Sequence, residues 1–166
     1  MYSKIIAKDN LIELTVTLVL IAVAGFAPYL GNQFITGTLV NASLIVATVL
    51  TSQRKAIIVG LLPSIISLST GLLPAVLAPM IPFIMIGNLI LIYTFDALKK
   101  NYFLAFGSAA VVKYLFLLTS SFLVINLISK SEIAEKAALM MSWPQLVTAI
   151  LGGLVAGVFL KTIKKI

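Results

Sequence analysis

Six apolar runs, each long enough to cross a bilayer as a helix, dominate this chain of 166 residues. They cover residues 11–27, 34–50, 56–72, 80–97, 103–128 and 143–160. An α-helix rises about 1.5 Å per residue, so at least about 17 residues are needed to span the hydrocarbon core. Hydrophobic residues make up 61% of the chain and charged residues 10%, which leaves too little polar surface to coat a soluble globule. The sequence therefore predicts an all-α integral membrane protein, with six transmembrane helices forming one domain over residues 1–166.

Basic residues are unevenly divided between the two sides of this six-helix arrangement. Two lie on one side, Lys130 and Lys136, in the company of Glu132 and Glu135. Nine lie on the side that holds both termini: Lys4, Lys8, Arg54, Lys55, Lys99, Lys100, Lys161, Lys164 and Lys165. Because cytoplasmic loops carry an excess of Lys and Arg, both termini are predicted to be cytoplasmic. The same rule accounts for the net charge of +7 without nucleic acid as a partner. The first run lacks a small-residue cleavage signature, so we expect a permanent helix rather than a signal peptide.

The residue types that are missing exclude several kinds of chemistry. The chain has no cysteine and no histidine, so thiolate and imidazole sites for metals, clusters or haem are not expected. Nucleophilic catalysis would have to rest on a serine paired with Lys113, but Ser108 and Ser120 lie five and seven positions away. We therefore expect no enzyme activity, no catalytic or metal site, and no cofactor.

Polar side chains inside the spans are the best indicators of a site, because each needs a partner or a wet cavity in hydrocarbon. Counted along the helices, Asn88 and Lys113 both fall near the membrane midplane, about 12 to 15 Å from a helix end. The polar residues within the runs are Asn41, Ser64, Ser67, Asn88, Lys113, Thr119, Ser120, Ser121, Gln145 and Thr148.

Lys113 is the most demanding of them. No acidic residue lies within two helical turns of it, so an insertion cost of roughly 2.5 kcal/mol or more is not offset within its own helix. It shares a helical face with Phe106, Phe116 and Ser120, which would form an aromatic and hydroxyl wall. Two interpretations remain open. Lys113 either faces a polar cavity that receives a ligand, or has a structural role, bonding Asn88 or a backbone carbonyl freed near Pro63.

Two amide residues on other helices are further candidates. Asn41 shares a helical face with Gly37, and two roles remain open for it: a hydrogen bond that joins neighbouring helices, or a contact in a binding site. Gln145 lies in the first turn of the last span beside Trp143, where free helix amides favour an anion. The loops at 27–37 and 70–79, apolar and rich in Pro and Gly, either fold over a cavity as flaps or simply cap helices.

The stretch "QFITGTLVNASLIVATVLTSQRKAIIVGLLPSIISLSTGLLPAVLAPMIPFIMIGN", with the later "MMSWPQLVTAILGGLVAG", resembles the six-helix substrate-binding S components of energy-coupling factor (ECF) transporters. The likeness runs from about residue 11 to 160. It implies a multi-pass protein of a prokaryotic cell membrane that binds a vitamin or other micronutrient at its outer half, under the first two external loops. The implied partners are a transmembrane coupling subunit and two cytoplasmic ATPases. The family's alanine-x-x-x-alanine coupling pattern is missing from "LIAVAGFAP".

On this interpretation the substrate is a small, anionic nutrient. Lys113 pairs with its negative group, Asn88 and Gln145 orient it, and Trp143 and Phe116 supply apolar walls. The main alternative is a structural or assembly subunit of a larger membrane complex, for which a row of small residues, Ala149, Gly153 and Gly157, would suffice. The same row is equally consistent with a face that packs against another helix of this protein. An ion-driven carrier is less favoured because the acidic residues all lie at helix ends or in loops, away from the middle of the spans.

Overall fold

A computed structural model of the chain describes residues 2–71, 75–128 and 139–166, with the side chains of 10–71, 78–124 and 139–166. These residues form a helical bundle and contain no β-strand. Short 3-10 helices cover Ala27–Leu30 and Ala75–Met80. The six long helices are α1 (Tyr2–Phe26), α2 (Gln33–Leu50), α3 (Gln53–Ser69), α4 (Ile81–Leu98), α5 (Tyr102–Ile128) and α6 (Trp143–Thr162).

Five of these helices, in the part of the chain that the structure describes, are long and apolar enough to cross a membrane. The exception is α3, which has 17 residues and begins with the polar run Gln53, Arg54 and Lys55. A helix nevertheless lies at each of the six predicted runs. The largest difference in bounds is at α1, which begins at Tyr2 rather than near residue 11. The charged stretch with Lys130, Glu132, Glu135 and Lys136, and residues 72–74 of the second loop, lie outside the described residues.

The connection between α1 and α2 follows from two adjacent residues. Gly31 has a φ of 63°, in the left-handed region that glycine adopts without steric strain, and ends the 3-10 turn. The side chain of Asn32 then accepts hydrogen bonds from the backbone amides of Phe34 and Ile35, capping α2. The chain therefore reverses within a few residues, and the first turn of α2 lies beside the end of α1.

At the opposite end of the bundle, α1 is tied to the connection between α2 and α3. The carboxylate of Glu13 accepts hydrogen bonds from the backbone amide of Ser52 and from Lys55, at 2.8 Å for the lysine. We call this the basic end. It is defined by Arg54 and Lys55 in the first turn of α3, Lys99 and Lys100 between α4 and α5, and Lys161 in the last turn of α6. The end with Asn32 is called the far end.

The core of the bundle is built around α2. All eight residues from Asn41 to Thr48 are buried, and α2 contacts α1, α3, α4 and α6. A helical segment buried on every side cannot present a polar face to solvent, so its polar residues must bond to neighbouring helices or to its own backbone. Thr48 bonds back to the carbonyl of Leu44, whereas Asn41 bonds to other helices.

The small residues of α6 form a packing face inside the protein, as one of the two interpretations of the row predicted. A Cβ atom added at Gly153 would collide with Phe106, and one added at Gly157 would lie 2.9 Å from the ring of Tyr102. The Tyr102 hydroxyl also donates a hydrogen bond of 2.6 Å to the Gly153 carbonyl. These positions are therefore occupied by α5 and are not open to another protein.

Candidate functional site

A cavity of about 270 Å³ lies between α1, α2, α3, α4 and α5, with residues of α6 at its far end. Its volume is near the lower end of the range for small-molecule sites. Exposed lining residues, Gly31 and Asn32, mark its mouth at the far end. Lys113 and Asn88, with exposed fractions of 3% and 1%, form its base in the middle of the bundle. The cavity therefore leads from the surface to a buried amine.

The Lys113 amine is held by two neutral amide side chains. Its Nζ donates a hydrogen bond of 2.6 Å to Oδ1 of Asn41 on α2 and one of 2.8 Å to Oδ1 of Asn88 on α4. An ammonium group has three donors, so the partners found among the described residues leave one N–H for the cavity. Both interpretations of Lys113 therefore describe part of the arrangement: it bonds Asn88, and it also lines a cavity.

Further hydrogen bonds hold the two asparagines in place. Asn88 Nδ2 donates at 2.7 Å to the Gly60 carbonyl of α3, in the turn before Pro63, where the helix lacks one backbone donor. Asn41 Nδ2 has a longer contact of 3.5 Å with the Thr148 hydroxyl on α6. Because each amide presents its oxygen to Lys113, the site is preorganised for one positive charge on α5, bonded by α2 and α4 and supported through them by α3 and α6.

No carboxylate compensates that charge in the part of the chain that the structure describes. The two ion pairs found there, Lys55 with Glu13 and Lys99 with Asp96, both lie at the basic end. A buried charge that has only neutral hydrogen-bond partners keeps an unsatisfied electrostatic demand. An anion that enters the cavity would meet this demand.

Two glutamine side chains secure the backbone near the mouth. Gln33 Nε2 of α2 and Gln145 Nε2 of α6 donate to the same acceptor, the Met140 carbonyl, at 2.7 and 3.2 Å. Met141, which also lines the cavity, is buried against Met80. The segment before α6 is therefore fixed across the mouth by α2 and α6 together.

The structure brings four of the seven predicted site residues to the cavity: Lys113, Asn88, Asn41 and Gln145. The other three lie outside its lining. Trp143 is 56% exposed and stacks against Phe34 with a centroid distance of 5.7 Å. Phe116 is half-buried on α5, and the Ser120 hydroxyl bonds back to the Phe116 carbonyl of its own helix.

Some residues of the cavity had no assigned role in the sequence analysis. Ser64 and Ser67 were recognised as polar residues within a span but were not grouped with Lys113, and both line the cavity. Their separation of three residues, which places them on one face of α3, was the available signal. Gln33 had no such signal, because it lies next to a helix cap, where polar residues are common.

Comparisons with protein-family models, with curated proteins and with solved structures find no match to this chain.

Proposed function

We propose that this protein binds a small anionic solute in its membrane-embedded cavity. The observation that carries the proposal is the buried Lys113 amine at the base of the cavity, bonded to Asn41 and Asn88, with no carboxylate near it among the described residues. A purely structural cross-link between helices would need no cavity and could be made by neutral side chains without the insertion cost of a charge. The proposed role is binding, without catalysis.

The mouth of the cavity gives the direction of capture. It lies at the far end, while the basic residues lie at the other. By the positive-inside rule the basic end is cytoplasmic, so the solute would enter from outside the cell. This orientation takes α3 as a sixth span alongside the five longer helices.

The resemblance to S components of ECF transporters supports a role in uptake. On this proposal the protein is the substrate-binding subunit of a vitamin or micronutrient importer in a prokaryotic plasma membrane. It would deliver its solute with a transmembrane coupling subunit and two cytoplasmic ATPases.

The test compares the wild type with a variant that supplies an internal counter-ion. Asn41→Asp places a carboxylate at hydrogen-bonding distance from Lys113 and gives up only the long contact with Thr148. Asn101→Asp is the matched control: it adds the same charge at the basic end, where Asn101 caps α5 by accepting from Leu104, a role that Asp fills equally well.

The measurement is native mass spectrometry of gently purified protein, alone and with added mixtures of small carboxylates and their neutral amides. We expect a small anion on the wild type and on Asn101→Asp, and its loss from Asn41→Asp and from Lys113→Met. Retention of the anion by both cavity variants would overturn the proposal. If the wild type binds no anion while all variants remain folded, the alternative of a structural or assembly subunit is favoured.

A further inference from the structure

The α3 wall of the cavity carries two serine hydroxyls that have no hydrogen-bond partner among the described residues, those of Ser64 and Ser67. Ser67 is 4% exposed. Serine hydroxyls in helices often bond back to their own backbone, as Ser69 does to the carbonyl of Ile66. Every fully enclosed polar side-chain atom of the described residues has a partner, so the Ser67 hydroxyl must reach the cavity. A hydroxyl that faces the cavity without a protein partner can hydrogen-bond whatever occupies the cavity, water or ligand.

The position of these hydroxyls follows from the path of α3. Gly60, whose carbonyl bonds Asn88, marks the level of the Lys113 amine. Ser64 and Ser67 follow by four and seven residues in the direction of the far end, which places them roughly 6 and 10 Å nearer the mouth along the helix axis. The two hydroxyls share one face because they are three residues apart. The cavity therefore has a cation at its base and a pair of hydroxyls part-way to its mouth.

Apolar side chains also line the cavity, beside these two polar regions. The lining includes Ala24, Val40, Ile81 and Ile84. Apolar walls favour a ligand whose middle section is hydrocarbon, while fixed polar groups set its orientation.

The charge of the cavity sets the charge of the ligand. Among the described lining residues there is one cation and no acidic side chain. A monoanion neutralises it, whereas a dianion such as a phosphate monoester would leave one negative charge buried without a partner.

We infer that the ligand is a monocarboxylate-type anion with an apolar middle and a second hydrogen-bonding group, such as a hydroxyl, that Ser64 and Ser67 recognise. This inference rests on the proposed function and names the substrate class of the same site. Lys113 binds the carboxylate at the base, and the serines select against analogues that lack the second polar group.

The test uses a series of ω-hydroxyalkanoates of increasing chain length, each with its matched alkanoate, its ω-hydroxyalkanamide and its dicarboxylate. Dissociation constants come from ligand-observed NMR titration of the purified protein. We expect one chain length at which the hydroxyacid binds about fivefold tighter than its alkanoate, the gain of one neutral hydrogen bond. The amide and the dicarboxylate should bind more weakly than either.

Variants assign that gain to α3. Ser67→Ala, or Ser64→Ala for a shorter chain, should reduce the ratio of hydroxyacid to alkanoate affinity from about five to about one, which is the coupling measured by a double-mutant cycle. Ser69→Ala is the matched control, because Ser69 is exposed on the same helix and bonds only to the Ile66 carbonyl among the described residues.

The failures of the two proposals are distinguishable. Equal binding of hydroxyacids and alkanoates at every chain length, with a requirement for Lys113, would overturn the inference and leave the proposed function standing. Equal binding of carboxylates and amides would overturn both.

Discussion

Replacing Gly152 by alanine tests whether the close approach of α2 and α6 holds the site together. A Cβ atom at this position would lie 2.6 Å from Cβ of Asn41, 2.9 Å from the backbone nitrogen of Ala42 and 3.0 Å from the carbonyl oxygen of Thr38. Ordinary contact begins near 3.4 Å, so the nearest atom must move by roughly 0.8 Å. Two of the three atoms belong to the backbone and cannot rotate away, so the helices themselves must separate.

Overpacking of this kind costs about 1 to 3 kcal/mol, and the better helix propensity of alanine returns no more than about 1 kcal/mol. Because backbone atoms cannot rotate away, we take the upper end of that cost, and we expect Gly152→Ala to lower the free energy of unfolding by about 2 kcal/mol, measured by titration with sodium dodecyl sulfate in mixed micelles. Since Asn41 is the nearest neighbour, the proposed function also predicts a lower affinity for a small anion.

The control is Gly107→Ala on α5. An added Cβ there meets no atom of the described residues within 4 Å. Only the propensity of alanine acts, so this variant should equal or exceed the wild type by up to about 1 kcal/mol. A Gly152→Ala protein as stable as Gly107→Ala would refute the packing argument.

Two further changes address the polar contacts. Asn88→Ala removes the acceptor of the Lys113 hydrogen bond and the donor to the Gly60 carbonyl. We expect the free energy of unfolding to fall by about 3 kcal/mol in the same titration. A loss of less than half that value would contradict the hydrogen bonds described for Asn88. Glu13→Gln breaks the partly exposed ion pair with Lys55. We expect the free energy of unfolding to fall by less than for Asn88→Ala, and the difference from the wild type to disappear in high salt. A difference insensitive to salt would show that the ion pair does not stabilise the basic end.

The long apolar helices were largely predictable from the sequence because length and apolarity are local properties. The bounds of α4, α5 and α6 agree with the predicted runs to within a few residues. The first predicted run also agrees with the start of a candidate span, at Asn10, although α1 itself begins at Tyr2, because a helix can continue past the apolar run into residues such as Lys4 and Lys8.

The site residues were predictable only in part, because the sequence gives the position of a residue along its helix but not the direction in which its side chain points. The cost of placing Lys113 in hydrocarbon is enough to predict a partner or a cavity for it, and Asn88 was predicted to lie at the same depth. Depth, however, does not give the rotation of a helix about its axis. Trp143 has the right depth to be near the cavity mouth, yet it faces outward against Phe34.

What the sequence determined by itself was therefore the helical architecture, with helices long and apolar enough to cross a membrane, and a lysine charge with no acidic residue within two helical turns, because both depend on composition and position along one chain. Only the tertiary structure decided which atoms meet that charge. Asn41 and Lys113 are 72 residues apart in sequence, and their contact at 2.6 Å depends on how α2 packs against its neighbours. That packing is set by close contacts such as the one at Gly152, where the absence of one methyl group lets two helices approach.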